Sequence, residues 1–584
     1  MNFKDTNIFS RLQLWRFLTN IVFQTLKLMQ VEVYILNTGS NCLVEQGSPL
    51  SSFAPKTITD PKSGREFEVI AAIVDHELRQ LDFAVFYPHK VEFIGLNHTE
   101  GRRVYIRSLS FLAQAAVRQL FPDRKFKINH SLPSGYYCKF RGERITDEQI
   151  LALRERMREL VAKDLPFTSK KVLSSEAAEW FQEQNQPLKA GLIKSLGQYF
   201  TTVYFLDGEV DNFYGPLAPS TGYLKVFDLM PYHHGFCLQY PQEGDESHTI
   251  PRQKQIKLTN TLKDYGYWCK TTGIVSVGAL NQRLLDGKAV ELINLCEARQ
   301  ERGYAAIADK IFADKDRIKI VFLAGPSSSG KTSSSLRVAQ QCKVLGLNPK
   351  VIELDNYFVE RGRTPKDEDG NYDFEALEAM DLELLGNHLN TLLAGGEVEI
   401  PRYDFKQGRP FFEGNMMHLE ENDILVMEGI HALDPAMVPS VDQSRIFRIY
   451  ASALTSLKLD ENCCISTTDN RLLRRMIRDN RVRGISPADT ILRWPSVRRG
   501  EGKYIFTFQE NADAQFNSAL LYELPLLKYY AEPLLRRIQP SSPAYSEALR
   551  LLKFLDFIVP LQPNEIAAIP PTSILREFIG GQTL

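Results

Sequence analysis

Alternating apolar and polar positions mark the start of the chain as β-rich. Val31, Val33 and Ile35 alternate with polar neighbours, which is typical of a half-buried strand. A turn is predicted at 37–40, where Asn, Thr, Gly and Ser follow one another. Further strands are predicted at 68–74 and 90–94, and helices at 108–120 and 147–163. The pattern therefore predicts short strands mixed with amphipathic helices.

The pattern changes near residue 318. Residues 246–315 are predicted to be mainly helical and to act as a connector. An apolar strand at 318–324 then leads into a glycine-rich turn and a helix, and strands alternate with helices from there on. Such alternation predicts a parallel α/β sheet. The fold class predicted for the whole chain is multidomain α/β, since 584 residues exceed what one core usually organises.

Composition excludes several classes of protein. The 43% hydrophobic and 24% charged residues are ordinary for a soluble protein. A net charge of -1 provides no global basic field for nucleic acid or anionic membrane, although a local basic patch stays open. No apolar run reaches the roughly 20 residues of a membrane helix. The eight scattered cysteines lack CxxC spacing, which favours reduced thiols and a cytoplasmic location.

Residues 1–28 are unusual because four basic residues alternate with apolar ones and Asp5 is the only acid. Two interpretations stay open. The segment is an amphipathic surface or targeting helix, or it is an extension that precedes a start at Met29.

The octet at 325–332 carries the strongest chemical signal. It matches GxxxxGK[ST], with a strand before it and a helix after it. Its residues are Gly325, Pro326, Ser327, Ser328, Ser329, Gly330, Lys331 and Thr332. Glycines let the backbone fold around a polyphosphate, and successive N–H groups with the helix N-terminus supply positive potential. Lys331 is predicted to reach the β- and γ-phosphates of ATP, and Thr332 to bind Mg²⁺.

Further candidate residues surround this octet. The strand at 423–429 contains Glu428 near its end, where a carboxylate can orient Mg²⁺. Asp355 follows a predicted strand at 350–354 and is a candidate acid for a substrate hydroxyl. Arginines at helical spacing, at 471, 474, 475 and 478, are predicted to form a cationic lid. No NKxD or TKxD sequence occurs, so a guanine-specific GTPase is disfavoured.

Five motifs in order resemble the uridine kinase and phosphoribulokinase family of P-loop kinases over residues 318–535. They are the octet, 355–358 (Asp-Asn-Tyr-Phe), 372–374 (Tyr-Asp-Phe), 400–405 (Ile-Pro-Arg-Tyr-Asp-Phe) and 426–430 (Val-Met-Glu-Gly-Ile). The resemblance implies ATP and Mg²⁺ as cofactors, with Asp355 and Lys331 as catalytic residues. It also implies ATP contacts from Arg478 and Arg483, and Mg²⁺ contacts from Thr332 and Glu428.

The same resemblance implies an acceptor pocket. Its residues would be Tyr357, Asp373, Tyr403, Phe405 and Arg475, with Asp373 on the ribose hydroxyls and the two aromatics of the 400–405 motif near the base. A histidine that contacts the pyrimidine in uridine kinases is replaced by Gly408. A further lid arginine of the family falls on Ile485. The sugar end of the pocket is therefore expected to be intact and the base end rebuilt.

The N-terminal half resembles threonyl-tRNA synthetase. Residues 30–96 are similar to a TGS domain, a ubiquitin-like β-grasp module. Residues 97–245 are similar to the synthetase's second, editing-type α+β domain, through the segments 100–108, 135–137, 214–216 and 227–230. The predicted organisation is thus an extension (1–29), the β-grasp module (30–96), the editing-like domain (97–245), the helical connector (246–315) and the kinase domain (316–584).

The editing-like domain departs from the family at its metal cluster. The HxxxH and CxxxH positions hold Arg107 and Phe111, then Phe213 and Leu217. Phenylalanine and leucine cannot ligate a metal, and arginine is a permanent cation. No zinc is expected, and the domain is interpreted as a non-editing relic used in binding, regulation or scaffolding.

Three functions stay open from the sequence. The first is a kinase of the nucleoside 5′-hydroxyl with a regulatory front half. The second is an ATPase switch whose front half binds RNA or tRNA. The third is a kinase of another hydroxylated metabolite, as in phosphoribulokinase. The retained Asp355, Asp373 and Tyr403 favour the first, and the oligomeric state is not predicted.

Overall fold

The computed structural model describes residues 30–251, 255–366, 370, 372–455 and 457–584. The predictions for residues 1–28 lie outside this range. Backbone contacts divide the chain into two compact units. The first runs to Asn185 and resumes from Tyr199 to residue 251, and the second comprises Gln186–Gln198 and the residues from 255 to Leu584.

The first unit contains strands β1 to β18 and helices α1 to α3. The strands are Gln30–Ile35, Ser40–Glu45, Ser48–Pro49, Thr57–Thr59, Glu66–Glu68, Ala71–Val74, Glu77–Arg79, Ala84–Val85, His89–Ile94, Phe126–Leu132, Gly135–Phe140, Thr168–Leu173, Phe200–Leu206, Glu209–Asp211, Asp228–Tyr232, Gly235–Gln239, Pro241–Gln242 and Asp245–Thr249. The helices are Thr99–Leu120, Asp147–Ala162 and Ser174–Glu183.

A five-stranded sheet of order β2-β1-β9-β6-β7 begins this unit. Strands β1 and β9 are parallel, and the other pairs are antiparallel. Val31 and Val33 face the core while their neighbours face solvent, so the alternation predicted for this strand is confirmed. A second, antiparallel sheet has the order β10-β11-β16-β15.

Helix α1 begins at Thr99, nine residues before its predicted start at 108. The first turns of this helix contain several arginines, so the period of apolar residues that predicts a helix is not visible there. The His98 ring nitrogen accepts a hydrogen bond from the Glu100 N–H and caps the helix. Gly101 lies so close to the Gly95 carbonyl that a Cβ atom would meet its oxygen at 1.9 Å. The start of this helix is therefore determined by the close contact between Gly101 and the Gly95 backbone and not by the local period of apolar residues.

The second unit contains strands β19 to β27 and helices α4 to α15. The strands are Ile320–Ala324, Asn348–Glu353, Val398–Glu399, Arg402–Asp404, Arg409–Phe411, Met416–Met417, Asp423–Glu428, Ile446–Ser452 and Ala514–Asn517. The helices are Pro187–Ser195, Ile256–Thr271, Val277–Leu285, Ala289–Phe312, Lys331–Val344, Leu382–Leu393, Thr467–Arg483, Pro487–Tyr504, Glu523–Leu535, Tyr545–Leu555, Pro563–Ala567 and Arg576–Ile579.

A parallel sheet of order β20-β25-β19-β26-β27 forms the centre of this unit, as the alternation of strands and helices predicts. Alternate residues of β19 enter two cores, Phe322 on one face and Val321 on the other. Strand β19 lies between β25 and β26, so the chain order reverses around it. Ligands of such sheets bind beyond the carboxyl ends of the strands at this reversal.

The segment predicted as a connector, 246–315, begins with strand β18 in the first unit, and from Ile256 it is mainly helical and belongs to the second unit. In α7, the Tyr304 ring stacks on Phe516 with centroids 4.4 Å apart. Its hydroxyl lies 3.2 Å from Ser334 Oγ in α8. Helix α7 therefore supports the helix that follows the glycine-rich turn. Of the helices in the described ranges, none combines the length and hydrophobicity that crossing a bilayer requires.

Candidate active site

The glycine-rich turn joins β19 to α8 at the carboxyl edge of the sheet. A Cβ on Gly325 would lie 2.0 Å from the Ala451 carbonyl oxygen, so only glycine fits. Ser328 and Gly330 adopt positive φ angles of 58° and 82°, which fold the backbone into a loop before α8 begins at Lys331. The structure thus confirms that this octet joins a strand to a helix, which is the context of a phosphate-binding loop.

Thr332 and Glu428 come together beside this loop. The Thr332 hydroxyl donates a 2.6 Å hydrogen bond to Glu428 Oε1, and Glu428 is buried at the end of β25. Burial raises the pKa of Glu428, while the Lys331 ammonium opposes that shift. A hydroxyl and a carboxylate in contact, next to a phosphate-binding loop, are a donor set that fits Mg²⁺.

Asp355 lies in a short 3₁₀ helix, Leu354–Tyr357, directly after β20. Asp355 is exposed to solvent. The protein atoms around it nevertheless raise its pKa by desolvation, and the charge of Lys331 opposes the shift. The charge of Lys331 therefore acts on both Asp355 and Glu428, and Asp355 acts on Glu428.

The arginines at 475, 478 and 483 converge on one buried carboxylate. Arg475 Nε and Arg478 Nη2 each lie 3.2 Å from Asp479, and Arg483 Nη1 lies 3.3 Å from it. Arg475 also donates to Ser327 Oγ in the loop at 2.8 Å. Glu577 Oε1 also lies 3.9 Å from Arg478 Nη1. Two carboxylates do not neutralise three guanidinium groups, so positive charge remains beside the loop.

Arg471 and Arg474 were predicted to belong to a cationic lid, but they are buried in the structure. Both side chains are fully buried, and each pairs with a buried carboxylate, Glu501 for Arg471 and Glu523 for Arg474. They also donate to the carbonyl oxygens of Ser327 and Ser328, at 3.0 and 3.3 Å. Helical spacing alone did not show that one face of α10 is buried under the phosphate-binding loop.

The three aromatic residues predicted to line the acceptor pocket lie in two different places: Tyr357 is in the core, and Tyr403 and Phe405 are on a hairpin. Tyr357 is buried in the core, and its hydroxyl lies 3.2 Å from His388 Nδ1. Tyr403 and Phe405 lie on the β22–β23 hairpin with ring centroids 5.1 Å apart, and Tyr403 also contacts Phe358. Strand β22 packs against the Asp355 segment. The hairpin thus places two aromatic rings beside the candidate acid.

Two glutamates that the sequence did not indicate contact the loop region. Glu501 Oε1 accepts a 2.8 Å hydrogen bond from the Ser327 N–H. Glu577, in the C-terminal helix α15, accepts one of 2.6 Å from Ser333 Oγ in the first turn of α8. These partners are 174 and 244 positions apart in the chain. No local motif marks either residue, so only the fold reveals them.

In the first unit, the four residues compared with the synthetase metal ligands are engaged in packing or in contact with the backbone. Phe111 and Phe213 have ring centroids 5.5 Å apart, and Leu217 is fully buried. The Arg107 guanidinium donates to the Pro216 carbonyl oxygen at 3.0 and 3.2 Å. Apolar packing and an arginine therefore occupy the place where ligands would meet. Within the described ranges, no group of three or more His, Cys, Asp or Glu is placed to hold a metal.

We predict that the full chain purifies without stoichiometric zinc and does not deacylate mischarged tRNA. The reason is that none of Arg107, Phe111, Phe213 and Leu217 can ligate zinc in this arrangement. Elemental analysis of the purified protein is the measurement. One equivalent of zinc that survives chelator dialysis would contradict the prediction.

The parallel sheet, the loop after its central strand and the adjoining hydroxyl–carboxylate pair define a P-loop kinase region. Residues 320–521, which are less than half of the chain, match the family model described as "Phosphoribulokinase / Uridine kinase family". The resemblance stated from the motifs is thereby confirmed, and it implies use of ATP and Mg²⁺. A solved structure described as a possible uridine kinase from Bacillus stearothermophilus is 19% identical. It covers 38% of this chain and 100% of its own, with a TM-score of 0.26.

The N-terminal half matches threonine–tRNA ligases. The ligase of Desulforamulus reducens is 32% identical over 165 residues, which cover 28% of this chain and 26% of the relative. That of Halorhodospira halophila is 34% identical over 165 residues, with the same coverage. The chain thus spans about a quarter of the length of these curated relatives.

Proposed function

We propose that the protein is an ATP-dependent nucleoside kinase that phosphorylates the 5′-hydroxyl of a nucleoside. The observation that carries the proposal is that the charge of Lys331 acts on both Asp355 and Glu428, and that Glu428 is hydrogen-bonded to Thr332, at the carboxyl edge of the sheet. Phosphoryl transfer to a hydroxyl requires a phosphate-binding end and an acid that accepts the hydroxyl proton, and the Tyr403 and Phe405 rings, which meet edge to face, provide apolar surface for a base.

In the proposed reaction, the Asp355 carboxylate accepts the proton of the acceptor hydroxyl. The hydroxyl oxygen forms a bond to the γ-phosphorus of ATP while the bond from that phosphorus to the β–γ bridging oxygen breaks, and ADP leaves. Lys331 and the loop N–H groups hold the phosphates, and Arg475, Arg478 and Arg483 offset the charge on the transferred group. Mg²⁺, held by Thr332 and Glu428, would supply further neutralisation of phosphate charge.

A panel assay tests this proposal. ADP release is measured with nucleosides, with sugar phosphates and without an acceptor. Acceptor-dependent release with nucleosides is expected. Turnover with sugar phosphates alone would favour the phosphoribulokinase-like alternative, and acceptor-independent release stimulated by RNA would favour the ATPase switch.

We further predict a relaxed or shifted base preference. Gly408 stands where uridine kinases carry the base-contacting histidine, and it has a left-handed φ of 71°. A Cβ there would lie 2.7 Å from the Arg361 Nε atom, so the Arg361 side chain already fills that space. Arg361 also donates to the Phe405 carbonyl oxygen at 2.6 Å. A dedicated side chain for the pyrimidine edge is thus excluded at this position.

The measurement is kcat/KM for uridine, cytidine, adenosine, guanosine and inosine. A site without a dedicated polar base contact discriminates weakly, because a wrong base leaves no buried group unpaired. A preference of about 10⁴ or more for the two pyrimidines would refute the prediction.

A further inference from the structure

Asp373, the acid that the family resemblance places on the ribose hydroxyls, already accepts hydrogen bonds from two protein groups. Asp373 Oδ1 accepts a 3.1 Å hydrogen bond from the Glu375 N–H. Its Oδ2 accepts one of 3.2 Å from the Tyr504 hydroxyl in α11. Both carboxylate oxygens thus have protein partners, and these contacts bind the 372–375 segment to α11.

Glu375, two residues later, has the opposite environment. Its side chain packs on Gly500 in α11, where a Cβ would lie 2.7 Å from the Glu375 Cβ. It is close enough to Lys331, Arg475 and Asp355 for each charge to influence it. Glu375 therefore lies within electrostatic range of Lys331 and of the candidate base Asp355, and its side chain packs on the helix that carries Glu501.

The Glu375 carboxylate has no hydrogen bond or ion pair to any residue in the described ranges, although its backbone N–H is bonded. It is half-buried, so solvent or a ligand in the cleft can reach it. Burial and the neighbouring Glu501 raise its pKa to about 7, and Arg475 and Lys331 oppose this. A desolvated carboxyl without a partner is costly, and such groups concentrate at functional sites.

We propose that Glu375, rather than Asp373, is the carboxylate that binds the hydroxyl groups of the acceptor. Asp373 then acts as a positioning residue that fixes the segment on which Glu375 lies. This inference rests on the proposed function and narrows its substrate class. An ionised carboxylate only accepts hydrogen bonds, so Glu375 and Asp355 together favour a neutral acceptor with several hydroxyl groups. A sugar phosphate would bring further negative charge to the same carboxylates.

The test compares Glu375→Gln, Asp373→Asn and Glu378→Gln in the full chain, with the best nucleoside of the panel. Glu378 is an exposed glutamate of the same segment and serves as the matched control. Glu375→Gln is expected to raise the acceptor KM about 10- to 100-fold, the worth of a hydrogen bond to a charged group. The KM for ATP should change little. Asp373→Asn should raise the acceptor KM less, and Glu378→Gln should match wild type.

The pH profile provides a second readout that a purely structural role would not move. Wild-type kcat/KM for the acceptor should rise as pH increases through about 7, since the ionised carboxyl is the binding form. The groups that face Glu375 are Glu501, Arg475, Lys331 and Asp355, and all four remain in Glu375→Gln. In Glu375→Gln, the rise of the acceptor kcat/KM with pH should no longer be centred near pH 7.

The thermal stability of Glu375→Gln distinguishes a role of Glu375 in substrate binding from a role in folding. The folded state holds the Glu375 proton more tightly than the unfolded chain does, so stability is lost as pH rises from the usual glutamate pKa to about 7, and above that pH the whole loss is present. Glu375→Gln should therefore not lower Tm at pH 8. If Asp373→Asn raises the acceptor KM as much as Glu375→Gln or more, or if Glu375→Gln behaves like Glu378→Gln, the inference is overturned while the proposed function stands. A wild type that does not phosphorylate nucleosides overturns both.

Discussion

Asp355→Asn is expected to lower kcat by roughly 10²-fold or more while the fold is retained. Asparagine keeps the shape of the side chain but cannot accept the hydroxyl proton. Lys331→Ala should lower kcat by about 10²- to 10³-fold, because it removes a preorganised cation from the transferred phosphoryl group. Steady-state kinetics with the best acceptor measure both effects.

Lys343→Ala is the matched control for Lys331, since it changes an exposed lysine at the other end of the same helix, α8. It should leave kcat unchanged. Because desolvation raises the pKa of Asp355, wild-type kcat should begin to fall on acidification at a higher pH than an ordinary aspartate would give. Near wild-type turnover in both Asp355→Asn and Lys331→Ala would refute the mechanism.

The largest effect on stability is expected from Glu501→Gln. Glu501 and Arg471 are both buried, and Arg471 Nη2 lies 2.9 Å from Glu501 Oε2. Burial alone would raise the pKa of Glu501, but the charge and hydrogen bonds of Arg471, the charge of Arg498 and the Ser327 N–H together outweigh it, and the pKa is lowered. Removing one charge leaves the other buried and unpaired, which costs about 3–5 kcal/mol. The same change weakens the acceptor of the Ser327 N–H, so ATP binding should also weaken.

Thermal unfolding and ATP titration of the full chain provide the measurements. Glu532→Gln is the control, because it breaks the more exposed Arg536–Glu532 pair one helical turn apart in α12. Such a pair contributes only about 0.3–0.5 kcal/mol. Equal losses of stability in the two variants would show that the Glu501–Arg471 pair does not support the loop.

The C-terminal segment around Glu577 contacts the glycine-rich loop and the helix that follows it. The Glu577 carboxylate contacts Ser333 at the N-terminus of α8, where helix N–H groups attract anions. Arg481 donates to the Glu577 carbonyl oxygen at 2.9 Å, and Ile574 packs on Gly330. The C-terminal segment is therefore part of the wall of the phosphate-binding loop.

The sequence by itself determined the phosphate-binding loop, the parallel α/β region, and the positions of Asp355 and Glu428 at strand ends. These follow from local rules: glycines at special backbone angles, the period of apolar residues, and the fact that parallel strands end at one edge of a sheet. The family motifs depend on the same short segments, which explains why the kinase region was predicted correctly.

Only the tertiary structure decided which charged side chains face the cleft. Helical spacing groups Arg471 and Arg474 with Arg475, yet the first two are buried against Glu501 and Glu523. Residue type cannot distinguish Asp373 from Glu375 either. The Tyr504 hydroxyl, which engages Asp373, lies 131 positions away in the chain. The reason is physical: a charge takes its role from the partners and the burial that distant elements provide, and local sequence does not encode either.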